Sequence, residues 1–424
     1  MPKPVTIRDV KVILTAPAGI RLVVVKLETS EPGLHGLGCA TFTQRHHAVA
    51  AAIEGHLGPF LTGAKVDQIT GAYGDRGQSE ATAGRDVSRI EDLWQQMMVH
   101  SYWRNGPVLN NAVSGVDMAL WDIAGKRAGM PVYQLLGGKC REAAAVYRHA
   151  DGRDPVQVED SVRRWMEGGY RYIRVQMGGY GGKADTIKVP EGSPPGAYYD
   201  PKAYARSMPK MIEHVRGAVG WEVELLHDIH ERLRPIDAVN FAKAVEPLKL
   251  FFLEDALAPE DIEWFHNIRA QCATPLAMGE LFVHPREWVP LVKHRLIDFL
   301  RMHISAIGGI TPARKAAALG EAFGVMTAWH GPGDVSPVGH AANLHLDLAM
   351  PNFGIQEWSE FNDAVREVFP GTPVVRDGYL YPADPDAPGL GVDINEELAA
   401  QYPCKDGVEQ WTQTRAPDGS PMRP

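Results

Sequence analysis

The sequence predicts an α/β fold built on a parallel (β/α) barrel, with a smaller α+β unit attached. Three short apolar runs end in carboxylates: LLHDIH (225–230), FFLEDA (251–256) and AMGELF (277–282). Asp228, Glu254 and Glu280 recur at an equal interval of 26 residues, which is one strand, one helix and two loops. Continuous apolar runs of this kind are what parallel strands buried on both faces look like. The length, 424 residues, exceeds one ordinary compact unit and suits a barrel plus a second domain.

Residues 4 to 28 read as two β-branched strands turning at Pro17-Ala18-Gly19. The following GLGCATFTQRHHAV reads as a hairpin tip leading into a helix from His46 to Leu57. Thr43 and Gln44 lie in that tip and stand as pocket candidates. Residues 62–83 are rich in Gly, Ala and polar types and read as an insertion-like surface loop. GAKVDQI (63–69) is echoed by GRDVSRI (84–90), so a short duplication is one explanation and chance the other. From Ile90 to Ala128 the pattern is helical, closed by Gly129 and Pro131.

The barrel strands follow in order: AAAVYRHADG, YIRVQ, EVELLHDIH, LFFLEDA, PLAMGE, DFLRMHIS, VMTAWHG and FGIQEW, with helical stretches between them. This gives units of 1–140, 141–380 and 381–424, the last packing back on the first. A long Gly-, Pro- and Tyr-rich stretch, 177–206, leaves the C-terminal end of the second barrel strand. Active sites lie at that end, so it reads as a lid.

A net charge of −9 without a long basic run argues against nucleic acid and anionic membrane surfaces. Four scattered cysteines without a CxxC point to a reducing cytoplasm and no structural zinc. No apolar run reaches transmembrane length.

Three carboxylates at adjacent strand ends repel one another unless a cation sits among them, and an all-oxygen set suits Mg2+ before Zn2+. His230 follows Asp228 by two residues, so on a strand its imidazole shares the carboxylate's face. Arg301 either clamps a substrate carboxylate with its planar fork or pairs with Glu280 or Glu357. His330 reads as a hydrogen-bonding pocket residue kept neutral by a cationic neighbour.

These residues, with AVSGVDMALWDIAGKRAGMPVYQLLGG, RMHISAIGGITPARK, AWHGPGDVSPVGHAANLHLDL and PGLGVDINEE, resemble the enolase superfamily, specifically its mannonate dehydratase branch. That branch includes D-gluconate dehydratases and a starvation-sensing protein. The resemblance covers almost the whole chain. It implies a modified (β/α)7β barrel under an N-terminal α+β capping domain, Mg2+, and dehydration of a sugar acid to 2-keto-3-deoxy-D-gluconate through an enediolate. Cytoplasmic location and a homo-oligomer are expected by the same analogy.

By position, it implies Asp228, Glu254 and Glu280 as metal ligands and His230 as the general acid. Arg301, His330, Asp334, Glu357 and His149 become pocket residues, with Thr43, Gln44 and Trp411 as further substrate contacts. Arg174 matches the Arg of an Arg–Tyr dyad assigned as base, and the nearest tyrosine here is Tyr180. Pro332 in HGPGD replaces the Ala of efficient mannonate dehydratases and implies a preference for D-gluconate. The competing expectation is a retired enzyme that keeps its metal site and acts as a sensor or regulator.

Overall fold

The computed structural model describes residues 4–63, 83–178 and 187–424. Most of the 62–83 loop, the first repeat string, the start of the 177–206 stretch and Tyr180 lie outside the described residues.

The N-terminal unit is an antiparallel sheet of β1 (Ile7–Thr15), β2 (Leu22–Thr29) and β3 (His35–Cys39). The stretch read as a hairpin tip therefore supplies a third strand as well. Its glycines explain the difference: a Cβ on Gly38 would sit 1.9 Å from the Gly115 carbonyl. Only a strand without side chains there can lie against the helix Pro107–Ala128. The helix from His46 passes through a π turn at Ile53–Leu57 and continues to Thr62. Pro59, which lacks an N–H, falls in this region and disfavours regular α pairing. The helical pattern of 90–128 resolves into two helices, Ile90–Val99 and Pro107–Ala128. Tyr102, Asn105 and Gly106 take positive φ between them, and Pro107 opens the second.

Eight parallel strands form the barrel: β4 (Ala144–Gly152), β5 (Tyr172–Met177), then, after a short β6 (Ala197–Tyr198) outside it, β7 (Glu224–Asp228), β8 (Phe252–Glu254), β9 (Leu276–Met278), β10 (Phe299–Leu300), β11 (Met326–Thr327) and β12 (Gln356–Glu357). Neighbours pair in chain order, and β12 pairs with β4. A Thr327–Phe353 bridge joins β11 to the chain entering β12, closing the ring. Tyr147, Leu226, Phe252, Ala277, Phe299, Ala328 and Ile355 fill its interior, so the barrel is a packed core open only at its mouth. A hairpin of β13 (Val374–Arg376) and β14 (Tyr379–Tyr381) adds to the start of β4.

The C-terminal segment crosses to the capping sheet. Thr15 Oγ1 donates to the Ala399 carbonyl (2.9 Å), and Arg21 Nε donates to that of Lys405 (2.7 Å). Its β15 (Thr414–Arg415) pairs with β6, pinning the described end of the 177–206 stretch. Ser305 Oγ donates to the Cys39 carbonyl, and Asn110 Nδ2 to those of Val283 and Ala306, tying cap to barrel at the strands' C-terminal end. Among the described residues, no helix is long and apolar enough to cross a membrane.

Candidate active site

A cavity of about 940 Å³ opens between the barrel mouth, the capping domain and the C-terminal segment. Thr43, Gln44, His149, Arg174, His230, Glu280, Arg301, His330, Asp334, Glu357 and Trp411 all line it. Asp228 and Glu254 are fully buried at its floor, where the β7–β8 register sets them side by side.

Two guanidiniums hold the floor together. Arg174 Nη1 lies 2.9 Å from Glu254 Oε1 and 3.2 Å from Asp228 Oδ2. Its Nη2 lies 3.1 Å from His149 Nδ1. An Arg can only donate, so Nδ1 accepts and His149 Nε2–H donates to Glu357 Oε1 at 2.8 Å. Burial, then Arg174, lowers the His149 pKa, consistent with a neutral ring.

Arg301, completely buried, contacts Glu280 and Glu357 at 2.5 Å each, Glu254 at 2.9 Å and Tyr147 OH at 3.2 Å. Of the two expectations for Arg301, the structure displays the pairing with Glu280 and Glu357. Glu357 also accepts from the Gly331 N–H at 2.9 Å, which fixes the loop before Pro332.

His230 reaches the carboxylates by a different path from the one its spacing suggested. The strand stops at Asp228, so the shared-face argument does not apply. His230 takes φ 54°, its N–H donates to Asp228 Oδ1 at 2.6 Å, and this tight turn swings the ring back. Its Nδ1 ends 3.3 Å from Asp228 Oδ2 and 3.6 Å from Glu280 Oε1. Burial lowers its pKa, but Asp228 and Glu280 raise it more, so the net shift is upward.

Asp228, Glu254 and Asp255 each bring one oxygen within 4.8 Å of the others. Asp255 was not foreseen, although it is written in the Glu-Asp pair of FFLEDA. Its φ of 38° turns it inward, and its buried Oδ2 has no hydrogen-bond partner. Glu280 stands apart from this trio because Arg301 and His330 (Nε2 at 3.2 Å) hold its Oε2. Burial pushes the Glu254 pKa up to about 8, and Arg301 only partly offsets it. A dense, buried, all-carboxylate set with an orphaned oxygen fits a hard divalent cation.

Burial and then Arg301 hold the His330 pKa well below its usual value. His330 Nδ1 lies 2.6 Å from His303 Nδ1. His303 and Tyr147 were both missed. Tyr147 lies two residues before His149 on the same strand, and the alternation rule would have found it, whereas His303 lies beyond the end of β10, where that rule does not reach. Arg21, Phe42, Glu231 and Glu409 were also missed. Asp334 lines the wall with its pKa pushed up to about 7, first by burial and then by Glu280. Trp411 is half-exposed at the mouth, 6.4 Å from the His230 ring, whereas Trp358 is core.

Residues 157–398 match the enolase C-terminal domain-like family, and residues 79–137 match the mandelate racemase/muconate lactonizing enzyme N-terminal domain. The D-galactonate dehydratase family member RspA of Pantoea ananatis is 57% identical, across 99% of both chains. A D-galactonate dehydratase family member of Enterocloster bolteae is 53% identical, again across 99% of each. A crystal structure of an enolase from Pantoea ananatis with bound D-gluconate and Mg superposes with a TM-score of 0.92. It is 56% identical, covering 99% of this chain and 100% of that one. With its barrel, its cap and its carboxylate floor, this chain belongs to the enolase superfamily, within the D-galactonate dehydratase family.

Proposed function

We propose that this protein is a hydro-lyase that dehydrates D-gluconate and/or D-mannonate to 2-keto-3-deoxy-D-gluconate, with D-gluconate the better substrate. The observation that carries this is the meeting of buried carboxylates, two guanidiniums and His230 at the floor of one cavity. Its volume, about 940 Å³, is at the upper end for a small-molecule site.

Asp228, Glu254 and Glu280 are the proposed Mg2+ ligands, with Asp255 close behind. Bound there, Mg2+ would supply positive charge to the substrate carboxylate as the carbon-2 proton leaves. His230 holds the proton that the departing carbon-3 hydroxyl takes, and Asp228 and Glu280 keep that proton on the ring. Tyr180 is the proposed proton acceptor at carbon 2. Arg174, engaged with Asp228, Glu254 and His149, positions the floor, and its charge would favour the phenolate of a tyrosine that reached it.

The epimer preference rests on Pro332. It lines the cavity, restricts Gly331, and follows the N–H that Glu357 grips. The Pantoea ananatis enolase with bound D-gluconate and Mg supports the same choice. The test compares kcat/KM for the two epimers, following 2-keto-3-deoxy product with semicarbazide. Efficient turnover of D-mannonate alone would overturn the preference. No product from either would favour another sugar acid or the regulator.

A further inference from the structure

Two adjacent histidines, His46 and His47, open the helix that follows the pocket loop, and neither lines the cavity described above. They face Asp406, which arrives from the C-terminal segment. His47 Nε2 lies 2.7 Å from Asp406 Oδ1, and His46 Nε2 lies 3.9 Å from the same oxygen. One ligand atom from each of the three lies within 4.8 Å of the other two. A surface ion pair explains His47 and Asp406 alone. It leaves out His46, which is only 5% exposed and whose buried Nε2 has no hydrogen-bond partner. Buried polar atoms are rarely left so.

We propose that His46, His47 and Asp406 form a binding site for a divalent transition metal of the Zn2+ class, separate from the carboxylate floor of the barrel. Two imidazoles and one carboxylate select zinc, cobalt or nickel over magnesium, whereas the floor offers oxygen only. The Thr43 carbonyl interacts with the His46 ring. Since Nε2 has no hydrogen-bond partner, that interaction falls to Nδ1. A proton held there turns the Nε2 lone pair toward Asp406, as ring partners behind metal-binding histidines do. Arg21 lies nearby, and Glu409 and the carbonyls of Thr43, Lys405 and Gly407 hold it. His47 and Asp406 are exposed, so solvent can complete the coordination.

The site would join the residues after Thr43 and Gln44 to those before Glu409 and Trp411. Both pairs line the cavity mouth, so an occupied site would clasp the C-terminal segment to the cap across the entrance.

The test titrates Zn2+ by calorimetry, and Co2+ by its visible absorption, into full-length protein held in excess Mg2+. Parent, His47→Gln and Asp406→Asn are compared. Both side chains are exposed, and matching thermal transitions without Zn2+ would show that the variants fold alike. One additional Zn2+ per chain is expected, with an absorption band typical of nitrogen-ligated Co2+. Each variant should weaken binding at least about tenfold. Identical isotherms in parent and variants, no additional Zn2+, or Zn2+ uptake abolished by Mg2+ would each overturn the site.

Discussion

Replacing His230 with asparagine separates its chemistry from its backbone role. His230 sits at φ 54°, where most side chains cost roughly 1–2 kcal/mol and asparagine costs least. His230→Asn keeps the N–H that donates to Asp228 Oδ1 at 2.6 Å, so the turn that shapes the floor survives. It removes the ring whose Nδ1 stands 3.3 Å from Asp228 and 3.6 Å from Glu280, and with it the proton for the leaving hydroxyl. A positioned general acid contributes about 10²–10⁴ in rate, so kcat/KM for D-gluconate should fall by that factor, about 2.7–5.5 kcal/mol in barrier. Exchange of the carbon-2 proton with solvent deuterium, read by NMR, should persist, because it precedes departure of the hydroxyl. The melting temperature should hold. His230→Val should be equally inactive and melt lower, since a β-branched residue is strained at that φ. Parent-like dehydration by His230→Asn would refute the acid role.

Glu254→Gln removes a proposed ligand, and Mg2+ retained after desalting, measured by elemental analysis, should fall at least about tenfold; unchanged content would remove Glu254 from the site. Arg301→Met leaves Glu254, Glu280 and Glu357 without a cation that contacts all three, so unfolding free energy should drop by about 3–5 kcal/mol. A urea midpoint equal to the parent's would contradict that. Asp117 is fully buried, and burial raises its pKa to about 7, offset only in part by Thr311. Its folded pKa exceeds the unfolded value, so the folded state binds the extra proton and is progressively destabilised as pH rises from about 4 to about 7. Asp117→Asn should flatten that slope, gaining up to about 4 kcal/mol above pH 7 relative to acid. A melting curve with the parent's pH dependence would sink this assignment.

The barrel was legible because parallel strands must be apolar on both faces, and each of the eight runs became a strand. The floor was legible where a carboxylate ended such a run, as at Asp228 and Glu254. Beyond the strand ends, spacing stopped predicting direction. His230 arrives through a left-handed turn and Asp255 through another, and no periodicity encodes either. The break at 100–106 follows from residues at positive φ within an otherwise helical pattern. Arg21, Glu409 and Trp411 meet at the mouth from opposite ends of the chain. That meeting depends on the C-terminal segment crossing to the capping sheet, a contact between residues nearly 390 positions apart that no local pattern announces.

The charges at the floor explain why this arrangement holds together and what it is suited to take. Asp228, Glu254, Asp255, Glu280 and Glu357 face two guanidiniums, Arg174 and Arg301, and the His230 ring, whose pKa they raise. The nearby His149, His303 and His330 all have lowered pKa values, so they add little positive charge. The excess negative charge is relieved by protonation of the carboxyls whose burial is least compensated. Glu254 rises to about 8 and Asp255 rises well above the usual range. Those are groups that hold protons where a cation would otherwise neutralise them. A divalent ion and these protons compete for the same oxygens, so loading the site releases protons and binding strengthens as pH rises. A sugar-acid carboxylate approaching this floor would meet repulsion from the same excess, which a dication held there would reverse. The carboxylate cluster that makes the floor inhospitable to an anion is thus what suits it to hold the cation that draws one in.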